Sequence, residues 1–350
     1  MKKVVFFLLL LLISVILVVS CGTRLTNEKV NNTSSEKNTD LEKVTLLLAA
    51  KGNAMFYSYV AREKGFFKEE GLDVELVSGI GGGNVIQQLK SETADIGIIG
   101  VAMLLPEWAK DTDIEVVYQI NATNLFDLIV PRNSSITSIN QLKGKVIGVT
   151  DFGSAETPMV RSILASAGMN SEQDVTIREM GNDAMSILTA LDKGEIAAFS
   201  GGAHDLVDLY AKGFKSNSLT PKSYKSLPSS AIIANKKIIS ERPDLVEKIL
   251  RATARATDLS IKDRNSAFEI MKGAIPEEFT DERFGQLYLD TFIDLATPIE
   301  TEKGYGYIDR NLWNKLIELY SVGDDPIISK EIDLNKYLNT SFLEKANSFN

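Results

Sequence analysis

Cysteine and histidine are almost missing from this sequence of 350 residues, which contains only Cys21 and His204. A single cysteine excludes a disulfide within one chain and a structural zinc site built on thiolates. A single histidine excludes a histidine-rich metal site. The fold must therefore depend on an ordinary hydrophobic core, and we expect no metal and no cofactor.

An excess of positive charge is missing as well. The chain has 38 Lys and Arg against 47 Asp and Glu, which gives a formal net charge of -9. Proteins that bind nucleic acid need a basic face. The composition therefore argues against nucleic acid as a partner.

The sequence motifs of common nucleotide and catalytic sites are not present. The glycines of residues 79–84 are loosely spaced, and neither the Gly-Lys-Ser/Thr of a phosphate loop nor a dinucleotide fingerprint follows. His204 has no Gly-X-Ser-X-Gly elbow to supply a serine nucleophile. We therefore expect that the chain is not an enzyme.

The N-terminus has the pattern of a secretory signal. Lys2 and Lys3 precede an apolar run over residues 4–19, and Val-Val-Ser-Cys ends at Cys21. A transmembrane anchor is the alternative, but it usually needs about 20 apolar residues. We expect a lipoprotein signal peptide at 1–20, an acylated Cys21, a disordered tether at 21–42 and an extracytoplasmic location on the cell membrane.

Strands and helices are predicted to alternate from Lys43 onward, first to about residue 120 and again from about residue 125. From residue 244 the pattern is mostly helical. Alternation of this kind indicates α/β lobes with mostly parallel sheets and helices on both faces. The chain should cross between lobes near 123–128 and 227–233. The expected boundaries are 43–125 with 229–345 for lobe 1, and 126–228 for lobe 2.

Polar or glycine-rich turns follow several predicted strands. Ligands of open α/β sheets bind beyond the carboxyl ends of strands, so these turns could share one cleft. Glycines also simply make tight turns, which is the alternative for each turn alone. The candidate ligand-binding residues are Lys51, Asn53, Tyr57, Gly82, Asn84, Gly100, Asn121, Thr150, Gly153, Ser154, Glu156, Gly201 and His204.

Three of these candidates have competing interpretations. Glu156 could contact a basic nitrogen or hydroxyl of a ligand, or could be a first-turn carboxylate favoured by the helix dipole. His204 could contact the ligand or be structural, and Tyr57 could stack on a flat ligand or pack in the core. Asp151 and Glu156 at one turn disfavour a small anion.

Five segments resemble periplasmic binding proteins for nitrate, alkanesulfonates, taurine and thiamine-pyrimidine precursors. They are residues 59–76 (YVAREKGFFKEEGLDVEL), 94–97 (ADIG), 142–149 (LKGKVIGV), 191–198 (LDKGEIAA) and 242–246 (RPDLV). The resemblance covers about residues 43–345. It implies a two-lobe, type II periplasmic-binding-protein fold with a helical C-terminal tail. It also implies a monomer that captures a small molecule between its lobes and delivers it to the permease of an ABC importer.

The ligand stays open at this point. A pyrimidine, a thiamine-precursor-like compound or another small heterocycle is favoured, and a sulfonate, nitrate or taurine-type anion is the alternative. An extracytoplasmic enzyme of heterocycle metabolism is a further alternative. The family's pyrimidine synthase uses a cysteine cluster and a histidine, whereas Cys21 is the only cysteine here. A sensor subunit that reports its ligand to a membrane partner is another alternative. Such a subunit would usually carry a signalling domain or a second membrane span.

Lipidation at Cys21 is the first testable prediction. Mass spectrometry of the membrane fraction should find an acylated N-terminal peptide that begins at Cys21. Cys21→Ser should abolish both acylation and processing. A Cys21→Ser chain that is processed and retained in the membrane like the unchanged protein would contradict the prediction.

Overall fold

The computed structural model describes residues 41–121, 123–322 and 326–349. The predicted signal peptide, Cys21 and nearly all of the predicted tether lie outside these residues. The first strand already begins at Glu42, so this residue belongs to the fold rather than to the tether. In the described part of the chain, no helix is long and apolar enough to cross a membrane.

Lobe 1 is built on a five-stranded sheet in the order β2-β1-β3-β10-β4. β1, β2 and β3 are parallel neighbours, and β10 pairs antiparallel with both β3 and β4. Four of the five strands therefore share one direction. The strands are β1 (Glu42–Leu48), β2 (Leu72–Ser78), β3 (Ile96–Gly100), β4 (Ile114–Gln119) and β10 (Ser230–Asn235).

Lobe 2 repeats the arrangement with the order β7-β6-β8-β5-β9. β6 is parallel to β7 and β8, whereas β5 is antiparallel to β8 and β9. Both sheets are therefore mostly parallel, with one reversed strand each. The strands are β5 (Phe126–Pro131), β6 (Val146–Val149), β7 (Thr176–Glu179), β8 (Ala198–Gly202) and β9 (Ser216–Ser218).

The reversed strands follow from the path of the chain. β5 is the first strand of the second sheet and β10 is the strand that returns to the first sheet. Each is reached from a strand of the other sheet rather than through a helical crossover within its own sheet, and both run opposite to their neighbours. The sequence pattern alone did not show this reversal. It also missed β9, because Ser216–Ser218 has no apolar residue.

Helices cover the sheets of both lobes. In lobe 1, a hydrophobic cluster joins α1, α10 and α12 to the side chains of one sheet face, and it includes Leu46, Val60 and Ile249. The helices are α1 (Phe56–Glu63), α2 (Phe66–Glu69), α3 (Gly82–Lys90), α4 (Leu105–Ala109), α5 (Glu156–Ser166), α6 (Ala184–Asp192), α7 (Ala203–Ala211), α8 (Lys222–Lys225), α9 (Lys236–Glu241), α10 (Pro243–Lys262), α11 (Arg264–Ala274), α12 (Glu282–Ala296), α13 (Arg310–Tyr320) and α14 (Leu343–Ala346).

Helix α3 begins without a polar capping side chain. The cap is Gly81, whose φ of 78° is in the region that favours glycine, and the helix begins at Gly82. Asn84 is already inside the first turn, and its side-chain amide donates to the carbonyl oxygen of Ile80 at 2.7 Å. Helix α6 is capped by Asp183, whose carboxylate accepts from the amide of Ser186 at 2.8 Å.

Two neighbouring segments connect the sheets, one between β4 and β5 and one between β9 and β10. The amide of Ile120 donates to the Ser230 carbonyl at 2.9 Å, and the Ser229 hydroxyl donates to the Thr123 carbonyl at 2.7 Å. The amide of Asn124 donates to the Lys225 carbonyl at 3.0 Å. The two connections therefore form one hydrogen-bonded pair.

The C-terminal helix α13 contacts both lobes. The ring of Trp313 lies 5.5 Å from that of Trp108, and its indole N–H donates to the side-chain oxygen of Gln119 at 2.9 Å. At the other end of the helix, the hydroxyl of Ser162 in α5 donates to the Leu319 carbonyl. Both tryptophans are buried and pack in the same hydrophobic cluster.

Trp313→Ala should destabilise the protein strongly, because Trp313 is fully buried and its removal leaves a large cavity. We expect a loss of about 3–5 kcal/mol in the free energy of unfolding, measured by urea denaturation. The neighbouring exposed residue provides the control, and Asn314→Ala should change stability by less than about 0.5 kcal/mol. Equal effects of the two substitutions would contradict the role assigned to Trp313.

Candidate functional site

The carboxyl ends of strands from both sheets meet at the junction of the lobes. Gly100 ends β3 in lobe 1, and a Cβ atom placed on it would lie 2.6 Å from the Cβ of Ala155 in lobe 2. A real side chain at this position would collide with the turn before α5. On another side of the junction, α7 of lobe 2 packs on α12 of lobe 1.

Glu156 is turned into lobe 2 at this junction. Its carboxylate accepts the amide hydrogen of Thr150 at 3.1 Å and also the hydroxyl hydrogens of Thr150 and Ser154. Only 1% of the residue is exposed. Of the two interpretations from the sequence, this geometry fits a carboxylate that holds its own turn together.

Burial raises the pKa of the Glu156 carboxyl to about 8. Backbone hydrogen bonds lower this pKa, and the neighbouring carboxylates of Asp205 and Asp151 raise it. Loss of hydration disfavours the charged form, which is the dominant effect here. Near neutral pH the group is therefore largely an uncharged hydrogen-bonding side chain.

Asn53 is the candidate whose geometry most clearly points to a ligand. It is completely buried, and within the described residues neither its side-chain nitrogen nor its side-chain oxygen has a hydrogen-bond partner. A buried amide without partners costs free energy, so such groups usually meet a ligand or water. By contrast, Tyr57 is buried beside Phe56, with ring centroids 5.1 Å apart, and packs in the core.

Glu278 joins this turn from the C-terminal half of the chain. It lies in a short 3-10 helix, Pro276–Phe279, and its carboxylate accepts the amide hydrogen of Asn53 at 2.9 Å. A Cβ atom on Gly52 would lie 1.6 Å from a Glu278 carboxylate oxygen, and Gly52 has a φ of 61°. Both the backbone conformation and this close approach therefore require glycine at position 52.

The charge of Glu278 is influenced from both lobes. Burial raises the pKa of its carboxyl most strongly, and the hydrogen bond from the Asn53 amide lowers it. The negative charge of Glu277 raises the pKa further, whereas His204 of lobe 2 lowers it.

His204 is the second residue of α7, in lobe 2. Its Nε2 atom lies 3.2 Å from the carboxylate of Asp205, and its ring centroid lies 6.4 Å from that of Phe292 in lobe 1. The buried Nδ1 atom has no hydrogen-bond partner in the part of the chain that the structure describes. Asp205 itself is buried and accepts the amide hydrogen of Gly202 at 2.9 Å.

Ser200, in the middle of β8, is a further buried polar residue. Its hydroxyl is fully buried and unpartnered among residues 41–121, 123–322 and 326–349. Ser200 pairs with Val149, directly before the Thr150 turn. Gly201, next in the strand, allows close packing, because a Cβ there would lie 2.7 Å from the ring of Phe199 and 3.0 Å from Asp205.

The remaining candidates do not converge on these groups. Lys51 is exposed and its side chain covers Gly79, while Asn84 and Gly153 are exposed. Gly82 is buried near Met103 in lobe 1. The side chain of Asn121 is buried in the connecting segments, 3.5 Å from the Ser229 hydroxyl.

Sequence reasoning missed Ser200, Asp205, Glu278 and the aromatic residues of α12. Ser200 directly precedes the glycine pair and Asp205 directly follows His204, so their closeness to these candidates in the sequence was a usable signal. Glu278 had no such signal, because it is 225 positions from Asn53, its hydrogen-bond partner. In the described residues, no group of three or more His, Cys, Asp or Glu side chains is placed to hold a metal ion.

A family model described as NMT1/THI5 like matches residues 53–267. The chain belongs to the NMT1/THI5-like family. The match begins at Asn53 and ends within α11, so Glu278 and α12 lie outside it.

Two curated relatives illustrate the range of the family. The chain is 24% identical to the riboflavin-binding protein RibY of Chloroflexus aurantiacus, over 87% of this chain and 86% of the relative. It is 24% identical to the 4-amino-5-hydroxymethyl-2-methylpyrimidine phosphate synthase of Aspergillus parasiticus, over 73% of each chain. The relatives therefore include both a binding protein and an enzyme.

Solved structures identify the architecture. A protein from Bordetella bronchiseptica has a TM-score of 0.69 at 21% identity, covering 88% of this chain and 98% of its own. The aliphatic sulphonate binding protein SsuA of Escherichia coli has a TM-score of 0.64 at 14% identity, covering 84% and 91%. The fold is the two-lobe periplasmic-binding-protein fold, with a helical C-terminal region.

Glu156 should make stability depend on pH. Its pKa of about 8 in the folded protein exceeds the ordinary value of 4.5, so folding favours the protonated form. The resulting stabilisation is complete below pH 4.5 and is lost as pH rises to about 8, on the order of 5 kcal/mol. Glu156→Gln should remove this slope from urea unfolding measured between pH 5 and 9.

The exposed Glu195 provides a control for this series. Glu195→Gln should leave the slope of the unfolding free energy against pH unchanged. An unchanged slope in Glu156→Gln would show that the Glu156 carboxyl is already ionised near pH 5, contrary to the burial of its side chain.

Proposed function

We propose that the protein is an extracytoplasmic solute-binding protein that captures a small molecule between its lobes and delivers it to the permease of an ABC importer. The observation that carries the proposal is the set of buried polar atoms without partners at the lobe junction. Asn53 contributes them from lobe 1, and Ser200 and His204 contribute them from lobe 2. Family membership and the similarity to RibY support the same function.

We further propose that binding occurs without chemical turnover. The synthase among the relatives makes an enzyme the second candidate. The cysteine cluster associated with that enzyme has no counterpart, since Cys21 is the only cysteine in the sequence. Glu156 has the strongly shifted pKa of a potential acid or base, but its carboxylate is occupied by Thr150 and Ser154. A compound recovered after long incubation with the protein should be chemically unchanged.

The anchor belongs to the same proposal. Removal of the signal peptide at residues 1–20 and acylation of Cys21 would hold a monomer at the outer face of a membrane. An importer's binding protein works in that location, within reach of the permease. The tether between Cys21 and β1 would give the folded part room to move between ligand capture and docking.

For the ligand, we propose a small heterocycle such as a pyrimidine or a related vitamin precursor. The names of RibY and the Aspergillus synthase refer to ring compounds of this kind. An anion of the sulfonate, nitrate or taurine type is the alternative, because SsuA shares the fold. The amide of Asn53 can both donate and accept hydrogen bonds, as the edge of a heterocycle requires.

Ligand capture should close the lobes about the paired connecting segments. The boundaries 43–125 with 229–345 and 126–228 would make the segments near 123–128 and 227–233 the hinge. A compound that contacts both lobes stabilises the closed form by its higher affinity for that form. Replacing a contact in either lobe should then weaken binding while the fold remains intact.

Closure can be measured with two fluorophores. Residues 22–350 contain no cysteine, so Gln87→Cys in α3 and Ser186→Cys in α6 give one exposed labelling site in each lobe. A bound compound from a panel of riboflavin, pyrimidines and alkanesulfonates should raise energy transfer and the melting temperature together. At 100 times the dissociation constant, about 2.7 kcal/mol of stabilisation is available.

Asn53→Ala in lobe 1 and Ser200→Ala in lobe 2 should each weaken the response, and Asn314→Ala should not. Binding that leaves the energy transfer unchanged, and that only lobe 1 substitutions weaken, would exclude a site between the lobes. Steady product formation by the purified protein would favour the enzyme.

A further inference from the structure

We propose, on the basis of the solute-binding function above, that Glu278 determines the specificity of the cleft by accepting a hydrogen bond from an N–H group of the ligand and by excluding anions. The ligand would be an uncharged or cationic nitrogen compound with a flat ring. Glu278 lies outside the segment that the family model matches, so this specificity would be a property of the C-terminal part of this chain.

The position of Glu278 is fixed before any ligand arrives. The amide of Asn53 donates to one carboxylate oxygen, Oε2, and the other, Oε1, lies over the backbone of Gly52. A carboxylate has about four acceptor positions, so this arrangement leaves capacity for another donor. A carboxylate held in place by a backbone amide can accept from a ligand without first losing side-chain freedom.

A second observation points to a ligand at the same place. The side chain of Asn53, whose amide holds Glu278, is fully buried with both polar atoms unpartnered in the described residues. Across the junction, the buried Nδ1 atom of His204 also has no hydrogen-bond partner among the described residues. Each lobe therefore has a buried polar group that lacks a hydrogen-bond partner. Another molecule bound between the lobes would supply these partners.

A row of aromatic residues on α12 lies beside the carboxylate. Phe284, Tyr288 and Phe292 follow at intervals of four residues, and neighbouring ring centroids are 5.9 and 5.4 Å apart. His204 faces Phe292 at the end of the row. Tyr288 is half-buried, and α12 packs on α7 of lobe 2. Such a row suits the face of a flat ring.

The charges around the cleft are mostly negative. Apart from His204, the charged groups that act on the carboxyls of Glu278 and Asp205 are carboxylates. His204 is itself next to the carboxylate of Asp205 at 3.2 Å. A buried anion needs a cation or several donors to replace its hydration, whereas an N–H donor or a cation finds acceptors here.

The test uses three flat six-membered rings that differ in charge at pH 7: uncharged cytosine, cationic benzamidine and anionic benzenesulfonate. Isothermal titration calorimetry is performed on the full chain in detergent. Cytosine or benzamidine should bind the unchanged protein, and benzenesulfonate should bind at least about tenfold more weakly, a difference of about 1.4 kcal/mol. Glu278→Gln should weaken the favoured probe by a similar factor.

Two further variants separate recognition from stability. Glu277→Gln removes the same charge from the exposed neighbouring residue. Its affinities for the probes should stay within about twofold of those of the unchanged protein. Glu278→Asp retains the charge and should keep the preference against benzenesulfonate. Melting temperatures of the apo variants establish that each is folded, and if Glu278→Gln does not fold, Glu278→Asp and the ranking of the three probes still test the proposal.

The outcomes distinguish this proposal from the general function. Strong binding of benzenesulfonate with closure of the lobes would overturn the role of Glu278 and leave the solute-binding function intact. Unchanged affinities in folded Glu278→Gln would overturn it as well. Failure of all three probes to bind would count against both the specificity and the site between the lobes.

Discussion

The paired connecting segments are the constraint on which the rest of this structure depends. Hydrogen bonds between Ile120 and Ser230, and between Ser229 and Thr123, bind the outgoing and returning chain to each other. Through this pair the chain passes to the second sheet at β5 and returns to the first sheet at β10. Both strands are antiparallel to their neighbours. The same path turns the carboxyl ends of β3 and β8 toward one junction, where the binding groups gather.

The arrangement at the junction separates structural carboxylates from one that is suited to recognition. Glu156 is satisfied by Thr150 and Ser154 and stabilises its own turn. Glu278 is held by a single backbone amide and lies beside an amide side chain that has no partner among the described residues. Two carboxyls with raised pKa values therefore have different roles, and only their hydrogen bonds distinguish them.

Helix α13 adds a third connection between the lobes, independent of the two chain crossings. It reaches lobe 1 through Trp313 and lobe 2 through the Leu319 carbonyl. A movement of the lobes about the crossings must therefore keep α13 packed or shift it along one lobe. The helical C-terminal region therefore links the two lobes, and the residues before α12 place Glu278 beside Asn53.

The sequence by itself determined the alternation of strands and helices and the order of the two lobes, because apolar periodicity and glycine-rich turns are local signals. It also placed Asn53 and His204 after strands, where ligand contacts are expected. The tertiary structure decided that Glu156 faces inward, that Tyr57 packs in the core and that Glu278 meets Asn53. Side-chain direction and contacts over 225 positions depend on how the lobes pack, and no local pattern records them.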